Sequence, residues 1–179
     1  MALNKCKYST YKAVSKAGLY TYNYMHIYHS QAASMQALDT VVSLIHEWQP
    51  DRLPKELKYR DSLASFLRER LPQAIVEKEY RHNGTTSDLY VECNGFMRSS
   101  EVFIELKRDL QQKNQLDRLV GQLESLKPGK HRIIVVLCGE TKPELLTRLR
   151  LQYSNHAQDY FRLKMMAIVV KAVAARAPR

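Results

Sequence analysis

His131 to Cys138 (HRIIVVLC) is an almost unbroken apolar run of β-branched and leucine residues. Such a run is the signature of a strand buried on both faces, and it demands packed elements above and below. Upstream, Glu101 to Lys107 (EVFIELK) alternates at period two. Between the two lies Gln111 to Lys127, with Leu116, Leu119, Val120, Leu123 and Leu126 at helical spacing, stopped by Pro128-Gly129. Strand, helix and strand in that order form a crossover, so the two strands are expected to run parallel in one sheet. Two more strands precede them, Ala74 to Tyr80 and Ser87 to Glu92, around a turn at His82-Asn83-Gly84; Cys93-Asn94-Gly95 separates them from the third. Pro143 to about Gln158 reads as a helix and Leu163 to Val173 as a last strand. The expected class is α/β, a mixed central β-sheet flanked by helices.

Ahead of the sheet, Met35, Leu38, Val41, Val42, Ile45 and Trp48 form a helical stripe over Gln31 to Trp48, capped by Ser30 and ended by Gln49-Pro50. A second helix spans about Pro54 to Leu71, with Glu56, Tyr59/Arg60, Leu63 and Leu67 on its inward line. The first 30 residues hold six of the eleven tyrosines, four lysines and no acid. They suit an arm that packs on the body or a second subunit, or that stacks on bases. The chain therefore divides into a tyrosine-rich arm and helix at 1–50 and a core at 51–179 with a basic C-terminus.

Charge narrows the partners. Lys and Arg number 28 against 18 Asp and Glu, a net charge of +10 over 179 residues. Such an excess favours polyanions. Arg148, Arg150, Lys164 and Lys171 are the candidate phosphate contacts, within a stretch from Leu145 to Arg179 that holds a single acid, Asp159. Three cysteines (Cys6, Cys93, Cys138) without CxxC spacing argue against a disulfide framework or a zinc site. No signal peptide or membrane span is visible, so a cytoplasmic chain is expected, with no membrane partner. Walker A, GxGxxG, GxSxG and HExxH patterns are absent.

The second and third strands carry the chemistry. For Leu89 and Val91 to share a core face with Val102, Ile104 and Leu106, paired positions across the hairpin must sum to an odd number. Val91 opposite Val102 gives 193, and the same register sets Asp88 opposite Glu105. Directly opposed Cβ atoms lie about 4.5–5.5 Å apart, and two carboxylates that close repel unless they share a proton or a cation. Lys107 follows Glu105 by two on the same strand face. Two acids and a lysine around a hard divalent ion suit phosphodiester hydrolysis. Mg²⁺ fits, with Mn²⁺ as a substitute, because it takes oxygen ligands and keeps several waters.

Ser87-Asp88, a gap of sixteen, then Glu105-Leu106-Lys107 resembles the PD-(D/E)XK nuclease superfamily, the restriction-endonuclease-like fold, with serine where the motif has proline. The order of elements from about Leu53 to Val173 is similar as well. The resemblance implies a metal held by Asp88, Glu105 and the carbonyl of Leu106, with Lys107 assisting the attacking water. It also implies a further acid from the helix before the sheet: Glu56, with Glu79 of the first strand as rival. A glutamine from the helix after the ExK strand is implied too: Gln122, although Leu126 stands where the pattern has tyrosine, or Gln115. The expected function is a Mg²⁺-dependent deoxyribonuclease, an endonuclease, acting on DNA, with RNA left open. A homodimer or a recruiting protein partner would supply paired sites or specificity. The alternatives are a non-catalytic nucleic-acid-binding protein on the same fold, or an interaction protein whose basic tail meets an acidic partner.

Overall fold

Period-two alternation produces a meander of three strands, β1 (Ile75–His82), β2 (Thr85–Asn94) and β3 (Ser99–Leu110). A crossover helix, α3 (Lys113–Ser125), leads to β4 (Arg132–Thr141). Then come α4 (Pro143–Gln152), the single turn α5 (Ser154–Ala157) and β5 (Met166–Lys171). Helix α1 covers 37–47 and α2 covers Glu56–Arg70. The structure is a computed structural model describing residues 37–94, 99–128, 130–157 and 164–171. The tyrosine-rich arm, the Ser30 cap, Met35, Asp159 and the basic residues Arg162, Arg176 and Arg179 lie outside the described residues.

The sheet order is β1-β2-β3-β4-β5, with β1, β2 and β3 antiparallel and β3, β4 and β5 parallel. The architecture is thus the expected mixed sheet with flanking helices. The odd-sum register holds: Val91 pairs with Val102, Tyr90 with Phe103 and Leu89 with Ile104. Asn83 and Gly84 both take positive φ (49° and 81°), the geometry a two-residue hairpin needs, and Asn-Gly supplies it cheaply.

Two apolar layers sandwich the sheet. On one side, Leu38, Val41, Ile45 and Trp48 of the α1 segment and Tyr59, Leu63 and Leu67 of α2 pack with Val91, Val102, Ile104, Ile134 and Val136. On the other, Leu116, Leu119 and Leu123 of α3 and Leu145 and Leu149 of α4 pack with Phe103, Ile133, Val135 and Leu137. Burial of each such aliphatic side chain contributes about 1.5–3 kcal/mol. This explains why the β4 run has no polar face.

Some boundaries differ from expectation for local reasons. β3 continues past Lys107 to Leu110 because β4 keeps pairing with it, Arg108 to Cys138 and Leu110 to Thr141, across an irregularity at Asp109. The helix expected to reach Gln158 ends at Gln152, because Tyr153 turns into the core and donates its hydroxyl to Glu124 at 2.8 Å.

β2 does not follow β3 along its whole length. Their ladder stops at Leu89–Ile104. Continued at the same register, Thr85 would sit opposite Arg108, near the start of α3. Instead the Thr85 hydroxyl donates to the carbonyl of Ser125, at the far end of α3 (3.3 Å). The distal half of the β1–β2 hairpin therefore leaves the sheet and folds across the α3 side. It docks there through aromatic contacts: Tyr80 on Tyr90 (centroids 3.9 Å apart), and His82 on Phe103 (5.6 Å) and His131 (5.1 Å). The departure point is Asp88.

Candidate active site

Where β2 leaves, β3 loses hydrogen-bond partners on that side. Alternate residues of a strand point their N–H groups the same way, so the N–H groups of Leu106 and Arg108 both face the vacated lane. Two carboxylates take the place of the missing strand. Asp88 Oδ2 accepts from Leu106 N–H at 2.8 Å, and Glu56 Oε2 accepts from Arg108 N–H at 2.9 Å. The carbonyl of Leu106 points into the same gap as its N–H. A main-chain oxygen is therefore directed toward the side of β3 on which Asp88 sits.

Glu56 sits in the first turn of α2, where an acid also suits the helix dipole. It does more than that. Lys107 Nζ lies 3.2 Å from both of its oxygens, and the Arg108 side chain bonds the carbonyl of Pro54, so the start of α2 is fastened to the end of β3. The strand alternation sets Lys107 on the same face as Glu105. The immediate partner of Lys107 is Glu56, while its charge acts on Asp88 from further off.

Glu105 is the least ordinary group in the fold. It is 1% exposed, its Oε1 has no hydrogen-bond partner, and burial beside Asp88 pushes its carboxyl up to about 8. Burial also raises Asp88, with the Leu106 N–H, Arg60 and Lys107 opposing and Glu56 adding to the rise. The repelling pair foreseen from the register is thus present, and its side chains are within reach of sharing a proton.

Arg60 belongs to the inward line of α2. It is a buried guanidinium next to this cluster, its Nη1 is 2.7 Å from Glu79 Oε1, and its Nε is unpartnered. The signal was a charged residue at a core-facing helix position. Glu79, the rival for the third acid, is engaged by Arg60 and takes a left-handed φ of 53° inside a strand.

Other sequence candidates lie elsewhere. Gln115 accepts the N–H groups of Gln111 and Gln112 with its side chain and so caps α3. Gln122 is exposed on α3, and no hydrogen bond joins its side chain to the carboxylates. Arg148 and Arg150 are exposed on α4. Lys164 and Lys171 are used internally: Lys164 Nζ is 3.3 Å from Asp39, and Lys171 Nζ donates to the His46 carbonyl at 2.8 Å. Burial pushes the Cys138 thiol up to about 12 and raises that of Cys93, which fits neither for nucleophilic work.

Among the described residues, no set of three or more His, Cys, Asp and Glu side chains is arranged to hold a metal ion. Two carboxylates and a carbonyl, one carboxylate oxygen being buried and orphaned, nonetheless match a small hard cation that takes one or two protein carboxylates and retains its waters. No helix among the described residues is long and apolar enough to cross a membrane. Comparison with protein-family models, curated proteins and solved structures returned no match to this chain.

Proposed function

We propose that the protein is a divalent-cation-dependent nuclease of the PD-(D/E)XK, restriction-endonuclease-like type, hydrolysing phosphodiester bonds in DNA. One observation carries the reading. The Glu105 carboxyl, buried with one oxygen orphaned, lies beside the Asp88 carboxyl at the point where two strands part. Asp88 and Glu56 cap the backbone of β3, whereas one oxygen of Glu105 is buried without a partner, and a buried polar atom left so is expensive unless something binds it.

Asp88, Glu105 and the Leu106 carbonyl would hold Mg²⁺, which supplies Lewis-acid stabilisation of a phosphoryl oxygen and an acidified water. The chain's own residues do the rest. Glu56 fixes the Lys107 ammonium through both oxygens and so aims a localised positive charge at the gap. That charge can orient a water and offset the negative charge that develops on the scissile phosphate. The parted strands give the phosphate an approach that a continuous ladder would close. The positive net charge brings the polyanion to it.

The test is cleavage of plasmid, linear, branched and single-stranded DNA, and of RNA, with Mg²⁺, Mn²⁺ or EDTA. Metal-dependent cuts are expected, lost in Asp88→Asn and Glu105→Gln. Cleavage at the parent rate by either variant overturns the site. A second reading, a nucleic-acid-binding protein without catalysis, draws on the edge-capping roles of Asp88 and Glu56, which a relic would also retain. Salt-dependent binding without cleavage under any metal would select it.

A further inference from the structure

The gap at Asp88 is open on both sides of β2. Towards β1, Lys78 pairs with Leu89 and Tyr80 with Ser87, while the intervening partners, Glu79 and Asp88, do not pair. Glu79 is the cause, because its φ of 53° turns its peptide groups out of the ladder. A residue with a Cβ adopts this conformation reluctantly where glycine would not, so something must hold it. Two consecutive residues of α2 grip two consecutive residues of β1. Arg60 Nη1 is 2.7 Å from Glu79 Oε1, and Asp61 Oδ1 is 2.9 Å from Lys78 Nζ. Both segments read cation then anion along the chain, so the two pairs form together only when the segments meet in antiparallel alignment. Arg60 stands one turn beyond Glu56, and its charge also acts on Asp88.

We infer that this double clasp sets where β2 bends. Arg60 and Glu79 are then positioning residues that, acting through the left-handed backbone at Glu79, hold the Asp88 carboxylate against the Leu106 N–H and beside Glu105. The inference rests on the nuclease reading only for the purpose of the placement; the placement itself is independent of it. The clasp joins α2 to the β1–β2 hairpin, so Glu56, Asp88 and the β3 edge become one rigid unit.

The decisive variant is Glu79→Gly, which accommodates the left-handed backbone but removes the side chain that Arg60 grips. Glu79→Gln, which keeps an oxygen for Arg60, is its control. The first readout is amide hydrogen exchange of Leu106 in the metal-free protein. Glu79→Gly is expected to lower its protection by about tenfold or more, while core amides such as Val135 and Leu149 hold theirs. Glu79→Gln retains most of it. The second readout is Mn²⁺ titration without nucleic acid, in which Glu79→Gly weakens binding about tenfold, the scale for groups that orient a ligand. Unchanged Leu106 protection in Glu79→Gly overturns the inference and leaves the Arg60–Glu79 pair a simple surface tie. A loss of Leu106 protection in Glu79→Gly, when the parent protein binds no Mn²⁺, upholds the clasp and removes the nuclease reading instead.

Discussion

Replacing Glu105 by glutamine should stabilise the metal-free protein, increasingly so as pH rises. The folded-state carboxyl sits at about 8 against an ordinary 4.5. The native state therefore binds more protons than the unfolded chain across that interval, and stability falls as pH climbs through it. Below about 4.5 the acid is neutral in both states, and no cost arises. Above 8 the full cost of an ionised, buried, repelled carboxylate is present. At about 1.4 kcal/mol per pH unit the ceiling is roughly 4 to 5 kcal/mol, shared with Asp88, which titrates alongside. Glutamine has nearly the same shape and stays neutral, so Glu105→Gln keeps the low-pH stability throughout. Urea unfolding of both proteins at pH 5, 6.5 and 8.5 reads the difference directly. With a slope near 2 kcal/mol/M, the midpoints should separate by up to about 2 M at pH 8.5 and converge at pH 5. Parallel pH dependences, or a variant less stable than the parent at pH 8.5, would refute the reasoning.

Lys107→Ala should keep Mn²⁺ and DNA binding yet lose about 10²–10³-fold in single-turnover cleavage, and Lys107→Arg should not restore it; a rate equal to the parent's removes Lys107 from the chemistry. Neutralising Arg148 and Arg150 together should flatten the slope of log affinity against log salt by up to about 2 units, at roughly 0.9 per phosphate contact. A slope that does not move makes α4 a solvated face. Lys171→Met should leave that slope alone and instead cost on the order of 1 kcal/mol of stability, because its ammonium serves the His46 carbonyl. Gly139→Ala should lower the melting temperature by several degrees, equivalent to roughly 1–2 kcal/mol or more. The glycine has φ +80°, and an added Cβ would meet Asp109 Oδ1 at 2.3 Å. A melting temperature equal to the parent's would show that Asp109 moves aside freely.

The site was largely legible because parity is rigid. Once Leu89 and Val91 must share a face with Val102 and Ile104, only odd sums survive, and Asp88 and Glu105 become neighbours. The Asn83-Gly84 turn announced itself through residues that accept positive φ. The bend did not. A left-handed glutamate at position 79 contradicts residue preference and is imposed by Arg60 from another element, which no local pattern encodes. The reach of β3 to Leu110 was hidden for a related reason: Arg108 and Asp109 look like a loop, and pairing with β4 overrides their polarity. The basic C-terminal residues could be counted but not assigned. Whether an ammonium meets solvent or a carbonyl depends on what packs beside it, and for Lys164 and Lys171 that is a helix 125 residues earlier.

That last separation shapes how the molecule can be made. Leu38 and Val41 of the α1 segment share one apolar cluster with Ala167 and Val169 of β5. A chain emerging from a ribosome can form the local β3–α3–β4 crossover early. The face beneath α1 stays incomplete until residue 169 is free, because its last two side chains arrive with the final strand. Between the making of residue 136 and the release of residue 169 the protein would display an unpaired β4 edge, an invitation to wrong partners that makes chaperone contact at that stage advantageous. The cost of joining α1 to β5 is thus borne in time, while the chain is still being made.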